Sequence, residues 1–328
     1  MGIIDRIKEI DRPRMKAMLH HAAKVNHHSY LGVCLDFFFD SLTRGSGYVD
    51  YVKGNYAALS RKERRENYFT QKTYAATVRR LNTRGYTMIF HDKIVFNRIF
   101  REQIGRDFID LREVGFEGFC EFVKGKETVF AKRHADFGGH GIEKMKLGGD
   151  LRPLYDRAMA NGQYLIEDTL VQHEALNAIN PAAVNNLRLV TLLKDGEVHV
   201  LFKTLRINGG TEEVISCDDI YMSLDEQGNV LGNVIDDNMT VFDRHPATGF
   251  EFKNAKIPHV DKACELVKSA ARLIPEMRYV GWDVAITTDG AAIIEGNNFP
   301  SIGLHQNYLL NDGAPVGNKK IICDLLHG

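Results

Sequence analysis

Three oxygen-bearing side chains near the end of the chain could bind a divalent cation. Asp283, Glu295 and Asn297 lie on two apolar runs within residues 279–300, and a turn separates these runs. Glu295 and Asn297 are two residues apart, so in a strand they point to the same face of the sheet. Oxygen ligands without histidine or cysteine favour Mg2+. The alternative is a two-sided buried hairpin whose carboxylates face solvent, and this stretch alone supports both interpretations equally.

The register of this hairpin decides whether Asp283 joins the other two side chains. A three-residue loop at 288–290, with Gly290 in the left-handed conformation, pairs Thr287 with Ala291 and places Asp283 opposite Glu295. A two-residue loop would move Asp283 to the wrong face. The metal interpretation therefore predicts the three-residue loop. The apolar side chains that this register assigns to the opposite face are Trp282, Val284, Ile286, Ala292 and Ile294.

A glycine-rich loop at 136–142 could hold phosphate groups. Glycine lets backbone N–H groups approach phosphate oxygens closely, and Lys132, at the end of the preceding strand, would add a positive charge. The loop is not a Walker loop, because no Gly-Lys-Ser/Thr sequence follows, and no long helix opens straight after it as in a dinucleotide fingerprint. Alone, it is more commonly explained as a glycine-rich hairpin turn.

An apolar strand at 164–167 runs into acidic residues. Such a strand can offer backbone groups to the edge of an adenine ring, and Glu174, a short way beyond, could bind ribose hydroxyls. Taken singly, each of these carboxylates is an ordinary surface residue.

Two patterns predict the elements that would position these residues. Residues 1–85 indicate mostly helix, including an apolar helix at 31–42, and an α/β pattern begins at residue 86. Later helices are predicted at 93–104, 116–124, 151–161 and 260–274, and strands at 86–90, 127–132 and 164–167, with a hairpin formed by 187–193 and 198–207.

Composition excludes several classes of protein. A length of 328 residues suggests two domains, since one domain takes about 150 residues. The net charge of -1 gives no basic field that would favour nucleic acid, and the apolar runs are too short to span a bilayer. Scattered cysteines without a CxxC pair, and a charged start without an apolar core, indicate a reduced, cytoplasmic protein without a signal peptide.

The order of these features resembles the ATP-grasp superfamily. The chain contains, in this order, a strand ending in lysine, a glycine loop, a strand running into acidic residues, a further carboxylate and the Asp…Glu-x-Asn set. Within the superfamily the chain is most similar to the sugar-transfer-associated ATP-grasp group, which is related to α-L-glutamate ligase-like proteins. The likeness covers residues 48–306, and its most specific pieces are Gly-Trp-Asp at 281–283 and Glu-Gly-Asn at 295–297. The other segments that carry it are 185–191, 205–207 and 245–249.

The resemblance implies an α+β protein with an ATP-grasp fold. It implies a helical N-terminal region at 1–85 and a catalytic region at 86–328, with a lid subdomain at about 125–175. ATP would lie between two α+β subdomains, with Mg2+ at the carboxylates. The residues whose roles it implies are Lys93 and Lys132 for the phosphates, Gly138, Gly139 and Gly141 for the phosphate lid, Glu167, Asp168 and Leu170 for adenine, Glu174 for ribose, Asp283, Glu295 and Asn297 for Mg2+, and Arg206 or Arg188 for the transferring phosphoryl group.

The activity that the resemblance implies is an ATP-dependent ligase that joins a small-molecule carboxylate to an amine through an acyl phosphate. One alternative is a phosphotransferase acting on a hydroxyl of a sugar or small metabolite, with Asp218, Asp219 or His245 as base. Another is a non-catalytic nucleotide-binding component of a polysaccharide or natural-product assembly system. After the Arg206 strand, residues 216–221 depart from the Asp-Asn and paired glycines usual in the group, which leaves the acceptor open. The N-terminal helices could cover the site, bind a partner or form a homodimer.

Overall fold

The computed structural model describes residues 11–135, 141–211, 219–311 and 317–327. The chain forms two compact units, of which the first contains 1–78, 238–240 and 301–328 and the second contains 79–237 and 241–300. The helices are α1 (Arg12–Val25), α2 (Tyr30–Arg44), α3 (Tyr48–Lys53), α4 (Arg61–Asn67), α5 (Gln71–Leu81), α6 (Met88–His91), α7 (Lys93–Ile99), α8 (Leu111–Val123), α9 (Arg152–Ala160), α10 (Glu174–Ile179), α11 (Val260–Leu273), α12 (Ile302–His305) and α13 (Asn318–His327). The strands are β1 (Phe108–Asp110), β2 (Thr128–Lys132), β3 (Ile142–Lys146), β4 (Leu165–Asp168), β5 (Asn186–Lys194), β6 (Glu197–Asn208), β7 (Asp219–Leu224), β8 (Val230–Asp236), β9 (Tyr279–Thr287) and β10 (Gly290–Asn297).

The first unit is mostly helical where it is described. The sequence predicts this for its N-terminal part, but it does not predict the helices within 301–327. Helix α2 begins at the N-cap Ser29, whose side chain accepts the N–H of Gly32, and ends at Gly45, which takes the left-handed conformation. The core contains the edge-to-face rings of Tyr51, Tyr56 and Tyr68. None of the helices in the described ranges combines the length and apolar character that a bilayer crossing demands.

A buried ion-pair cluster ties α2 to α4. Arg64 lies 2.6 Å from Asp36 and 3.5 Å from the buried Asp40. Arg64→Ala would remove the positive charge that offsets the negative charges of these two carboxylates. We therefore expect the free energy of unfolding to fall by about 3–5 kcal/mol. Urea denaturation measures this loss, and the exposed neighbour Arg65 provides a matched control, because Arg65→Ala should change stability by no more than about 0.5 kcal/mol. Equal stability of the two variants would contradict the prediction.

The second unit contains two antiparallel sheets. The smaller sheet has the strand order β1-β4-β2-β3, and the larger has the order β10-β9-β5-β6-β7-β8. Leu187 pairs with Leu205 and with Val284, and these side chains form a single core with the apolar side of α11. Side chains alternate along a strand, so the neighbours of these core residues point to the opposite face of the larger sheet. This face carries polar residues that include Arg188, Arg206 and Asp283.

The segment 86–90, predicted as a strand, is helical in the structure. Residues 88–91 form α6, and Phe90 is buried against Phe96, Phe100 and Trp282. A short apolar run does not distinguish a buried strand from a buried helical turn, which explains the wrong prediction.

The turn of the β9–β10 hairpin also differs from the prediction. Gly290 pairs with Thr287, so the loop has two residues instead of three, and Gly290 does not have a positive φ. A β-bulge between Ile293 and Glu295 then shifts the register by one residue. Asp283 consequently lies opposite Glu295, so the predicted pairing is confirmed although the predicted turn is wrong.

The bulge also changes two of the predicted face assignments. Ala292 pairs with Ala285, which places it on the same face as Asp283, and Ile294 lines a cleft instead of joining the core around Trp282. Ile293 pairs with Val284 and occupies the core position in their place.

Candidate active site

A cleft in the second unit brings together residues from both sheets and from α7. Its enclosed volume is about 90 Å3. Lys93, Lys132, Glu167, Glu295 and Asn297, which the sequence predicts as site residues, all line it. The other lining residues are Phe90, Phe96, Asn97, Ile142, Ile294, Gly296 and Asn298.

The two lysines are held at the ends of regular elements. Lys93 is the first residue of α7, where Asp92 caps the helix by accepting the N–H groups of Ile94 and Val95 at 2.9 and 3.1 Å. The backbone N–H of Lys93 donates to the carbonyl of His134 at 2.8 Å. Lys132 ends β2. Both cations act electrostatically on Glu295, so their charge is directed toward the predicted metal end.

Glu167 is the centre of a buried ionic network. It pairs with Arg106 at 2.8 Å and with Lys132, and it accepts a hydrogen bond from Asn97 at 2.5 Å. Burial alone would raise the pKa of Glu167, but Arg106 and Lys132 hold this pKa far below its ordinary value. The sequence places Glu167 at the adenine hinge, and in the structure its side chain orients Lys132 in the cleft. Arg106 and Asn97 carry no local sequence signal, since their partners are distant along the chain.

The other hinge residues do not line this cleft. Asp168 pairs with Lys126, Leu170 is half-buried, and Glu174 is exposed at the start of α10. Gly138 and Gly139 lie outside the described residues. Gly141 is described and has a φ of 71°, a left-handed conformation that favours glycine, immediately before β3.

Asp283 and Glu295 face each other across β9 and β10. Asp283 is buried, and both of its oxygens accept hydrogen bonds from Arg188, one of them at 2.8 Å from Nη2. Burial opposes the charge of Asp283, but Arg188 lowers its pKa. Glu295 keeps an exposed surface, yet desolvation by the surrounding protein and the charge of Asp283 raise its pKa. Two adjacent carboxylates, one of which is exposed in the cleft, are oxygen donors of the kind that bind a divalent cation.

Asn297 offers a further side-chain oxygen next to the predicted metal ligands. It lies two residues from Glu295 on β10, and its Oδ1 accepts the N–H of Phe299 at 2.8 Å. Within the described ranges, no group of three His, Cys, Asp or Glu side chains could hold a metal ion, so a site with three protein ligands at this place would have to include the amide of Asn297. Both oxygens of Asp283 accept hydrogen bonds from Arg188, so Asp283 could bind a cation only after one of these hydrogen bonds breaks.

Two glycines are required by close packing at the predicted metal site. A Cβ on Gly296 would approach the rings of Phe90 and Phe96 to 2.8 Å. A Cβ on Gly281 would lie 2.7 Å from Cβ of Pro300 and 3.4 Å from Nη1 of Arg188. Gly281 belongs to the Gly-Trp-Asp motif and Gly296 to the Glu-Gly-Asn motif. Each motif therefore contains a proposed metal ligand and a glycine whose missing side chain lets its strand pack closely against neighbouring residues.

Arg206 lies on the same polar face as Arg188. It pairs across the sheet with Asn186 and Tyr221, and its Nε donates to the buried Asp219. Burial raises the pKa of Asp219 to about 6, and the charge of Asp237 adds to this effect while Arg206 opposes it. Asp219 is therefore a buried carboxyl group with a raised pKa, held by Arg206 at the edge of the polar face.

His245 has a structural role that argues against its use as a base. Its Nε2 donates to the carbonyl of Asn208 at 2.8 Å, and its Nδ1 accepts the N–H of Thr248 at 3.2 Å. Burial lowers the pKa of the imidazole, and both ring nitrogens are engaged. Asp218, another predicted base, lies outside the described residues.

The fold is that of an ATP-grasp protein. The family model of the sugar-transfer associated ATP-grasp domain matches residues 135–312, more than half of the chain, and the chain therefore belongs to this family. No curated protein matches the chain.

Several solved structures are similar to the chain at low identity. The ATP-grasp ligase PsnB complexed with minimal precursor has 14% identity and a TM-score of 0.43, over 75% of this chain and 62% of that chain. N5-carboxyaminoimidazole ribonucleotide synthetase from Thermotoga maritima has 13% identity and a TM-score of 0.41, over 71% and 52%. D-alanine-D-alanine ligase from Helicobacter pylori has 13% identity and a TM-score of 0.41, over 69% and 58%. The chain thus spans about three fifths of the length of PsnB.

Proposed function

We propose that the chain is an ATP-dependent ligase that joins a small-molecule carboxylate to an amine, with Mg2+ as cofactor. The observation that carries this proposal is the cleft in which Lys93 and Lys132 share a lining with Glu295 and Asn297. Positive side chains for phosphate oxygens and carboxylates for a metal are the two requirements of a Mg–ATP site. Membership of the ATP-grasp family supports ATP as the nucleotide.

The difficulty of the first step is charge, because a carboxylate must approach a triphosphate. Lys93 and Lys132 would bind the phosphates and direct fixed positive charge at them. Mg2+, when held by Asp283, Glu295 and Asn297, would neutralise further charge on the phosphate oxygens. Gly138, Gly139 and Gly141 would cover the phosphates and exclude water, while the backbone of Asp168 to Leu170 and the carboxylate of Glu174 would hold the nucleoside.

The reaction would proceed in two displacements. The substrate carboxylate attacks the γ-phosphorus of ATP, the bond from this phosphorus to the β,γ-bridging oxygen breaks, and the products of this step are the acyl phosphate and ADP. The amine then attacks the acyl carbon, loses a proton, and phosphate leaves. No covalent intermediate with the protein is required, so the site needs positioning and charge instead of a nucleophile.

Of the two candidate arginines, Arg206 is better suited to the transferring phosphoryl group. Both oxygens of Asp283 engage Arg188, so Arg188 acts on the metal end. Arg206 binds Asp219 through Nε, and its side chain is 31% exposed, compared with 14% for Arg188. Asp219, held by Arg206, would accept the proton that the amine loses.

A phosphotransferase is the second candidate function, and Asp219 is the observation that favours it. A carboxylate whose pKa is raised to about 6 could equally accept the proton of a hydroxyl. The hydroxyl oxygen would then attack the γ-phosphorus directly, and the product would retain phosphate.

The products distinguish these functions. The protein is incubated with ATP, Mg2+ and a pool of small metabolites, and the products are identified by mass spectrometry. A product whose mass equals two metabolites minus one water supports ligation, whereas a metabolite that gains phosphate excludes it in favour of the phosphotransferase. If ATP is not consumed, both enzymatic functions are rejected and the non-catalytic nucleotide-binding role is favoured.

Hydroxylamine provides a direct test of the acyl phosphate. It is a small neutral nucleophile at pH 7.5 and should replace the amine to give a hydroxamate from the substrate carboxylate. A hydroxamate that requires ATP supports the ligase, and ADP release without any hydroxamate contradicts it.

A further inference from the structure

Helix α2 has apolar side chains on both of its sides. On the inner side Val33 is buried and Phe37 packs against the core of the first unit. On the outer side Leu31, Leu35, Phe38 and Leu42, here called the apolar stripe, are each 61–70% exposed. Soluble proteins rarely leave a contiguous apolar patch uncovered. The stripe therefore has the character of an interaction surface.

The spacing of the apolar stripe is symmetric. Its successive residues are four, three and four positions apart, which is the spacing of the seam of a coiled coil. This pattern is the same in both chain directions. When two copies of α2 meet antiparallel across a two-fold axis, Leu31 lies opposite Leu42 of the partner subunit and Leu35 lies opposite Phe38 of the partner subunit. The stripe is thus complementary to itself.

The charges around the apolar stripe favour a second copy over a membrane surface. The flanking residues Gly32 and Ser41 are uncharged, and so is Cys34, which packs partly against the core of the first unit. Arg61 lies over the ring of Phe39 at 3.8 Å, at the edge of the stripe. A helix that binds anionic lipid carries Lys and Arg along the borders of its apolar face. The one basic residue within α2 is Arg44, and it pairs with Asp40 at 3.0 Å.

The area is sufficient for a specific interface of modest size. A Leu or Phe side chain removes on the order of 100 Å2 from water when covered. The stripe and the adjacent Phe39, which is 41% exposed, together bury about 1,000 Å2 over two copies, the lower limit for a specific contact. We propose that the chain forms a homodimer in which the apolar stripes of two α2 helices pack antiparallel.

Sedimentation velocity at increasing protein concentration tests the dimer. The wild-type chain should pass from monomer to dimer, and Leu35→Lys with Phe38→Lys should weaken dimerisation at least about 100-fold, because each charged substitution occurs twice across the interface. The matched control is Leu231→Lys with Leu273→Lys, which adds the same charges at exposed apolar positions elsewhere and should dimerise like wild type. A wild-type chain that stays monomeric, or a stripe variant that dimerises normally, overturns the proposal.

Cross-linking tests the antiparallel arrangement and does not depend on weakening the fold. In an antiparallel pair, the two copies of Phe39 lie on one side of the seam and the two copies of Cys34 lie on the other, whereas in a parallel pair each Phe39 lies beside Cys34 of the partner subunit. In the double variant Phe39→Cys with Cys34→Ala, a short bis-maleimide should therefore give a covalent dimer on a denaturing gel, and Cys34→Ala alone is the matched control that should give none. Absence of a covalent dimer in the double variant, or a covalent dimer of Phe39→Cys that forms only when Cys34 is retained, would overturn the antiparallel arrangement.

Discussion

Replacing Glu295 with glutamine is expected to reduce ADP formation about 1,000-fold, because a bound metal contributes several kcal/mol to phosphoryl transfer. Glu295 is the carboxylate that is exposed in the cleft, whereas Asp283 is buried against Arg188. Glutamine keeps the shape of the side chain and removes the charge that a cation would bind. ADP release with saturating ATP and varied Mg2+ measures the loss, and the Mg2+ requirement should rise in the same variant.

The thermal stability of Glu295→Gln shows whether a loss of activity comes from the missing carboxylate or from unfolding of the protein. Desolvation by the surrounding protein and the charge of Asp283 raise the pKa of Glu295, so the charge of Glu295 opposes the folded state when no cation is present. Glu295→Gln should therefore melt at the same temperature as wild type or at a higher one. Glu197→Gln, at an exposed position on β6, is the matched control and should retain full activity.

Near-normal ADP release by both Asp283→Ala and Glu295→Ala would refute the proposed metal site.

The pairing of Asp283 with Glu295 was predictable from the sequence, but its structural cause was not. Alternating apolar residues and a turn sequence indicate the β9–β10 hairpin. A shared metal site further requires that Asp283, Glu295 and Asn297 lie on the same face of this hairpin. The bulge between Ile293 and Glu295 has no local signal, because it lies in an uninterrupted apolar run. The same pairing was therefore predicted from a three-residue turn that the structure does not contain.

Elements with strong local patterns were predicted more accurately than contacts between distant residues. The predicted hairpin at 187–193 and 198–207 corresponds to β5 and β6 with ends that differ by one residue. The network around Glu167 could not be predicted, because Arg106 and Asn97 reach it from 61 and 70 positions away. Their approach depends on how α7 and the smaller sheet pack, which a periodic pattern does not encode.

Replacing Glu167 is expected to have the largest effect on stability within the second unit. Glu167→Ala would leave Arg106 and Lys132 close together without the buried carboxylate between them, and would remove the acceptor of Asn97. Breaking a buried ion pair from one side costs about 3–5 kcal/mol. Chemical denaturation should show this loss, and Glu143→Ala, which removes the half-buried partner of the exposed Arg157, should cost less than about 1 kcal/mol.

The pH dependence of this difference provides an independent test of the ionic mechanism. The pKa of Glu167 is lowered on folding, so its stabilising effect is present above its ordinary pKa of 4.5 and is lost as the pH falls toward the lower value of the folded state. The stability difference between wild type and Glu167→Gln should therefore be constant near neutral pH and shrink as the pH falls below about 4.5. A difference that does not change with pH would show that Glu167 stabilises the cleft by packing instead of by charge. The position of Lys132 in the cleft would then need another cause than its ion pair with Glu167.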